Sequence, residues 1–355
     1  MNRDIGIGVG AGLVAALLFG VVLKASALAI LYLLAPLPIL IVGLGWSHRG
    51  ALAAVIAGAL ALTLVVSPYI GLAFAAFTAI PAWWLVYLAL LGRTGPDGTL
   101  EWYPTGRLLA WIAGTAALAP VAFAVIVSPD YATFRNGAST LSRAVVQLQV
   151  QRGRLPAPPA AETPGDAKPR ATEAEPTGPE GSDAGKTDST KSDTTKSDPA
   201  KSDDFANEVA DAFAKALPFL AAQMITMLFT LYLWAAARIV QISGRLPRPW
   251  PDIPATVMPR VVLLVLVGAF ALSLAPGFPG VLGMALMGAL SAAFALQGLA
   301  AFHDRSRGRP GRLGLLVGLY VVLFLTQGIA MLALVLFGIA DTALDRRRPR
   351  PSGSA

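Results

Sequence analysis

"IGIGVGAGLVAALLFGVVL", Ile5–Leu23, is the stretch of sequence that decides the fold. Its first residues match the spacing G-x-G-x-x-[GA] of a dinucleotide-binding turn through Gly6, Gly8 and Ala11. That turn requires a strand in front of it, and only four residues precede Ile5. The whole stretch is apolar and has about the ~20 residues that a helix needs to cross a bilayer. We therefore interpret it as a membrane span.

Small residues recur at four-residue spacing along this span. Gly8 and Gly12 form one pair, and Ala11 and Ala15 form another. Small side chains let two helices approach closely inside a membrane and pack by van der Waals contact. The pattern predicts that this face of the first helix packs against another helix.

The composition extends this interpretation to the whole chain. Its 355 residues are 55% hydrophobic and 14% charged, and the mean hydropathy is +0.62. Soluble domains carry about 25% charged residues. The absence of cysteine excludes disulfides and thiolate metal sites. We expect a polytopic membrane protein, in which basic residues beside the spans set orientation, so that the net charge of +7 does not indicate nucleic-acid binding.

Nine apolar stretches are long enough, or nearly long enough, to span a bilayer. They are Ile5–Leu23, Ala27–Gly45, Ala51–Val66, Pro68–Leu91, Leu108–Val127, Ala216–Ala237, Val261–Ala275, Val281–Ala301 and Leu313–Ala340. The predicted fold class is all-α, a polytopic transmembrane helix bundle with roughly eight to ten crossings.

A long polar middle divides the chain. We predict an N-terminal transmembrane bundle, an amphipathic interfacial helix, a disordered extracytoplasmic linker, a C-terminal transmembrane bundle and a basic tail. Their respective bounds are 1–127, 128–154, 155–204, 205–345 and 346–355. The linker consists mainly of Pro, Ala, Ser, Thr, Lys, Asp and Glu, with no recurring apolar face that could offset the entropy of ordering it.

Arginines predict the orientation. They concentrate in alternate short loops, at Arg3, Arg49, Arg93, Arg107, Arg238, Arg245, Arg248, Arg260, Arg305, Arg307, Arg309 and Arg312. The positive-inside rule makes these loops and the N-terminus cytoplasmic, in the inner membrane of a bacterium, and the linker external. Nine crossings would place the basic tail outside. Leu313–Ala340 is therefore either one long tilted helix that breaks the rule or two short helices that return the chain to the cytoplasm.

Catalytic and metal-binding motifs are missing from the sequence. It has no paired intramembrane carboxylates, no HExxH, no GxSxG and no Walker loop. His48 and His303 lie apart in basic turns, without the neighbours that a metal site needs. We expect no catalytic residue, no metal ion and no cofactor.

The remaining candidates are neutral polar and aromatic side chains inside the spans. Gln223, Gln297 and Gln327 require hydrogen-bond partners, which are either neighbouring helices or a polar ligand. Trp83, Trp84 and Tyr87 fall nearer the middle of their span than its ends, where they pack against other helices or line a cavity. These six residues are the predicted substrate cavity.

Several stretches resemble known membrane proteins. "PAWWLVYLALLGR" (81–93), "LQGLAAFHDRSR" (296–307) and "FGIADTALDRRR" (337–348) resemble the YybS-like family of uncharacterised bacterial membrane proteins. "LAPLPILIVGLGWSHRGALAAVIAGALAL" (34–62) is similar to the opening half of the S components of energy-coupling-factor vitamin transporters. The resemblance implies small-molecule binding. It also implies a first helix that docks a membrane coupling subunit through an Ala-x-x-x-Ala surface, a spacing that Gly8, Ala11, Gly12 and Ala15 match.

Two functions follow as alternatives. The first is a small-molecule binding or transport protein, whose partners are the lipid bilayer and either a coupling subunit or a second copy of the chain in a homo-oligomer. The second is a non-transporting membrane scaffold that recruits a cytoplasmic protein through the basic loop Arg238–Arg260. Neither involves nucleic acid.

Overall fold

The computed structural model of the protein describes residues 2–21, 26–128, 130–151, 199–326 and 328–344. These residues are mostly helical, as the sequence predicts. The chain forms two compact units, one of Met1–Phe134 with Ala216–Ala355 and one of Arg135–Lys215.

The elements follow one another with short connections, apart from the polar middle. In chain order they are α1 (Asn2–Gly20), a 3-10 helix (Ser26–Leu34), α2 (Pro36–Gly45), α3 (His48–Val65), α4 (Pro68–Phe74), a π-helical turn (Ala75–Ala79), α5 (Ile80–Ala89), β1 (Gly92–Thr94), β2 (Leu100–Trp102), α6 (Thr105–Val127), α7 (Tyr131–Gln151), α8 (Pro199–Ile242), a 3-10 turn (Ile253–Ala255), α9 (Val261–Ser273), α10 (Phe278–Arg305), α11 (Arg312–Thr326) and α12 (Gly328–Leu344). The strands β1 and β2 form an antiparallel hairpin.

Six helical segments are long and apolar enough to cross a membrane. They are Arg3–Gly20, His48–Val65, Pro68–Ala89, Thr105–Ile126, Ala212–Ile242 and Phe278–Arg305. Four shorter apolar helices accompany them, at Ile30–Gly45, Val261–Ser273, Arg312–Thr326 and Gly328–Leu344. The predicted count of nine spans is therefore not confirmed within the described residues, because three of the predicted stretches form shorter helices.

Two of the three predicted stretches are divided into separate helices. The predicted span Ala27–Gly45 changes from a 3-10 helix to α2 at Pro36, whose missing N–H and fixed φ suit the first position of a new α-helix. The predicted span Leu313–Ala340 falls on two helices, α11, which ends at Thr326, and α12, which begins at Gly328. Of the two interpretations of this stretch, the structure adopts the pair of short helices.

In the N-terminal half, α1 and α3 run parallel in backbone contact. A Cβ atom on Gly8 would collide with the carbonyl oxygen of Gly50, and one on Gly12 would collide with that of Ala54. Further along, a Cβ atom on Gly20 would lie 3.5 Å from the side chain of Leu62. The pairs keep one register along both helices, so α1 and α3 begin at the same end of the bundle.

In the C-terminal half, α10 is the central helix, and glycines bring its neighbours close. Gly283 faces the end of α9 at Ser273, and Gly288 faces Phe219 of α8. Gly298 packs on α12, where a Cβ atom would meet the carbonyl oxygen of Leu334. A side chain at any of these glycines would separate the backbones, since contact of small residues holds membrane helices together.

The start of α11 and the end of α12 lie at the same end of the bundle. This end also holds Arg260 and Arg305, and it is named here the basic end. Six residues separate the end of α10 at Arg305 from the start of α11 at Arg312. At the end of α12, Asp341 accepts a hydrogen bond from Arg305, and the carbonyl oxygen of Ala343 lies 3.5 Å from Nη2 of Arg260. The pair therefore leaves the basic end and returns to it.

The polar middle is helical at both of its described edges. α7 occupies Tyr131–Gln151, within the predicted interfacial helix, whose membrane contact stays a prediction. α8 begins at Pro199, so its first six residues fall within the predicted linker 155–204, whose bounds stay a prediction. Proline suits the first turn of a helix, which explains the start at Pro199. The rest of the predicted linker, and the basic tail, lie outside the described residues.

Candidate functional site

The basic loop, defined by the structure as residues 243–260 between α8 and α9, packs across the basic end. The Arg245 guanidinium lies 4.6 Å from the centre of the Trp46 ring, in cation–π geometry. Arg248 Nη1 donates to the carbonyl oxygen of Ala89 at 3.2 Å, and the hydroxyls of Thr105 and Thr256 are 3.2 Å apart. The loop thereby joins the ends of α2, α5 and α6.

A cavity of about 400 Å³ lies beneath this loop. Its side walls are α8 and α10, which touch through Phe219 and Gly288 and leave a space further along, between Thr230–Ala237 and Leu296–His303. Because α6 forms another wall, the cavity lies where the two hydrophobic cores of the bundle meet. Leu108 belongs to the first core, and Leu109 belongs to the second.

The cavity walls are predominantly apolar, with a few polar groups. The apolar residues come from helices and loop alike, and include Leu44, Leu109, Ile112, Leu233, Leu246, Ile253, Leu296 and Ala300. The polar and aromatic ones are Thr105, Thr230, Trp234, Arg248, Trp250, Thr256, His303 and Tyr320. An apolar cavity with a few polar groups is typical of small-molecule sites, which occupy about 300–1,000 Å³.

Arg248 is the charged group that stands out in this lining. Its side chain is half-buried, and removal from water lowers the pKa of its guanidinium below the usual value. α5 ends at Ala89, so the hydrogen bond from Arg248 also places a positive charge at the negative end of a helix dipole.

His303 and Tyr320 form a polar contact on another wall. His303 Nδ1 lies 2.9 Å from the carbonyl oxygen of Leu299, which can only accept, so the ring donates from Nδ1. For a neutral ring, Nε2 is then the acceptor for the Tyr320 hydroxyl, 3.4 Å away. Tyr320 lies on α11, a helix without a buried residue.

Gln297 lies outside this cavity, in a buried network that joins three elements. Its Oε1 accepts from the backbone N–H of Met258 at 3.0 Å, and its Nε2 donates to Thr342 Oγ1 at 2.8 Å and to Asp341 Oδ2 at 3.0 Å. The Asp341 side chain is 1% exposed and pairs with Arg305 at 3.2 Å. The amide therefore binds other parts of the protein, which is one of the two roles predicted for it.

Trp83, Trp84 and Tyr87 also lie away from the cavity. The rings of Trp84 and Tyr87 stack at 5.8 Å, and Trp84 meets Trp111 of α6 edge-on at 5.6 Å. All three pack against the first hydrophobic core. Trp83 retains one unsatisfied group, since its buried indole N–H has no acceptor in the part of the chain that the structure describes.

The remaining predicted residues are placed as follows. Gln223 is half-buried on α8 and does not line the cavity, and Gln327 lies outside the described residues. Gly8 and Gly12 are covered by α3, and Ala15 is buried in the first core with Ala11 packed against it. A coupling subunit would therefore have to dock on a surface other than the one formed by the two glycines.

Sequence reasoning missed the residues that build the cavity. The one available signal was "RLPRPWPDIP", Arg245–Pro254, in which four prolines and a tryptophan alternate with polar residues. Four prolines in ten residues predict a stiff, extended segment that can close over a site. Among the described residues, no group of three or more His, Asp or Glu side chains could hold a metal ion.

Comparisons with protein-family models, with curated proteins and with solved structures find no match to this chain.

Proposed function

We propose that this protein is a multi-pass protein of the bacterial inner membrane that binds a small, largely apolar molecule in the cavity between α8 and α10. The observation that carries the proposal is the cavity itself, about 400 Å³ with almost wholly apolar walls, at the junction of the two cores. Space of this kind is costly to leave empty, because its lining loses dispersion contacts. A ligand of matching chemistry restores them.

The proposed orientation places the basic end in the cytoplasm. Arg3, the basic loop and the end of α12 share that end, and basic residues beside spans favour the cytoplasmic side. Trp234 and Tyr320 line the cavity and are each 48% exposed, and we infer from this that the cavity opens between them to the inner half of the bilayer. An apolar ligand would enter from the membrane and not from water.

This function agrees with the resemblance to the YybS-like family and to S components, of which the S components bind small molecules within the membrane. We retain that relationship as part of the proposal. The scaffold alternative has less support, because the basic loop packs on the protein's own helices through Arg245 and Arg248.

Native mass spectrometry of the detergent-purified protein, with a variant that fills the cavity, tests the proposal. Ala300 lines the cavity, so Ala300→Trp should displace a bound molecule. Ala271→Trp, on the exposed surface of α9, is the matched control. We expect an adduct on the wild type and the control and none on Ala300→Trp. An adduct of the same mass and abundance on a folded Ala300→Trp would place the ligand elsewhere.

A further inference from the structure

The cavity under the basic loop has a positively charged group, the guanidinium of Arg248, at one place in a largely apolar lining. Arg248 extends from the loop to the carbonyl oxygen of Ala89 and lines the cavity together with Leu90 and Leu246. The helical walls provide a long apolar surface from Thr230 to Ala237 and from Leu296 to Ala300. A ligand that matches this lining is apolar along most of its length and negatively charged at one end.

The charge of Arg248 is not neutralised by the described residues. Arg93, Arg305 and Arg307 each form an ion pair with a carboxylate. Arg248 forms none within the described ranges, and its hydrogen bond there goes to a neutral carbonyl oxygen. A partly desolvated cation is unfavourable until an anion approaches it. A guanidinium has five N–H donors, so most of them stay available to such a partner.

We propose that the cavity binds an acidic amphiphile, with its apolar body between α8 and α10 and its single anionic group, a carboxylate or a phosphate, on the guanidinium of Arg248. This inference rests on the proposed function, because it names the ligand class of the same cavity. Arginine suits the role, since its planar fork binds carboxylate and phosphate through two parallel hydrogen bonds.

A purely structural role for Arg248 makes a different prediction. If Arg248 only caps the end of α5, then a neutral side chain that can still donate to Ala89 would preserve everything that Arg248 does. Arg248→Gln is such a variant, because it keeps an N–H donor and removes the charge. Arg245→Gln is the control, because Arg245 lies in the same loop, stacks on Trp46 and does not line the cavity.

The experiment is photo-crosslinking of the full-length protein in nanodiscs. Three probes carry the same diazirine-labelled chain: a fatty acid, the corresponding fatty alcohol and phosphatidic acid. Labelled peptides are identified by mass spectrometry. The two acidic probes distinguish a free amphiphilic acid from an anionic phospholipid of the bilayer, and the one that labels more strongly identifies the source.

We expect an acidic probe to label peptides of α8, α10 and the basic loop about tenfold more than the alcohol, which corresponds to one charge-assisted hydrogen bond. Arg248→Gln should reduce acid labelling to the level of the alcohol, with an unchanged melting temperature, and Arg245→Gln should leave it unchanged. Equal labelling of the cavity by acid and alcohol would overturn the inference and leave the proposed function intact. Failure of every probe to label the cavity would overturn both.

An Arg248→Gln variant that melts early is replaced by Arg248→Lys, which keeps the charge and should retain more acid labelling than alcohol labelling.

Discussion

Nε2 of Gln297 lies 3.0 Å from Oδ2 of Asp341, and this hydrogen bond joins α10 to α12 across the buried interior. The same amide accepts from Met258 at the end of the basic loop, so one side chain connects three elements. Arg305 neutralises Asp341 from the partly exposed end of α10, where its side chain is 37% exposed. A buried carboxylate is tolerated here because it has both an amide donor and a guanidinium.

Replacement of Gln297 should destabilise the bundle. Gln297→Leu removes the amide that accepts from the N–H of Met258 and donates to the carboxylate of Asp341, and a lost hydrogen bond to a buried group costs about 1–3 kcal/mol. We expect a loss of about 2–4 kcal/mol of stability, measured by thermal or denaturant unfolding in detergent. Gln223→Leu, which lies outside this network, is the matched control and should change stability little. Equal stability of the two variants would show that the network contributes nothing.

The contact between α1 and α3 gives a steric prediction. Gly8→Leu and Gly12→Leu place side chains where the carbonyl groups of Gly50 and Ala54 lie, and each should cost about 1–3 kcal/mol. The double variant should be less than additive, since both residues share one interface. Gly6→Leu and Gly10→Leu are the controls, because a Cβ atom at either glycine meets nothing within 4 Å. The measurement is the thermal stability of each variant in detergent. The packing would be refuted if the Gly6 and Gly10 controls lost stability and the Gly8 and Gly12 variants did not.

Membrane topology can be tested with single cysteines, because the chain contains none of its own. Ser192→Cys lies in the predicted external linker and should react with an impermeant maleimide in intact cells after permeabilisation of the outer membrane. Ser352→Cys follows α12, which returns to the basic end, and should react only after lysis of the inner membrane. Labelling of Ser352→Cys in intact cells would contradict the return of the α11–α12 pair to the cytoplasm.

The polar linker should be dispensable for folding. Its composition predicts that it buries no apolar surface, so deletion of Pro164–Asp198 should leave membrane insertion and thermal stability nearly unchanged. The deletion stops before Pro199, where α8 begins. The measurement is the yield of folded protein by size-exclusion chromatography. A large fall in that yield would show that the segment packs against the protein.

Local sequence patterns predicted the helices of this fold and one of the contacts between them. The apolar runs specify helices because every backbone polar group in a membrane must be satisfied within its own segment. The four-residue spacing of Gly8 and Gly12 marks a close helix contact, although it does not identify α3 as the neighbour. The length of Leu313–Ala340 and the charge of the tail after it also raised the question of whether this stretch forms one long helix or two short ones. The structure has two.

The candidate site was not predictable in the same way. Gln297 was predicted to bind either a helix or a ligand, and its partner Asp341 lies 44 residues away, beyond any local pattern. The rings of Trp83 and Trp84 each stack on that of Tyr87, which a linear sequence does not reveal. Arg248 appeared as one of many loop arginines. Its position beside the cavity depends on how the basic loop folds back across α5 and α6.

The central claim is that a small molecule occupies the cavity between α8 and α10. An experimental density map of the protein, purified from native membranes into lipid nanodiscs, tests this claim most directly. We expect density not accounted for by protein between Trp234 and Ala300, with its polar end within hydrogen-bond distance of the Arg248 guanidinium. A map in which the side chains of α8 and α10 close the space, or in which it is empty while a ligand lies elsewhere, would contradict the account.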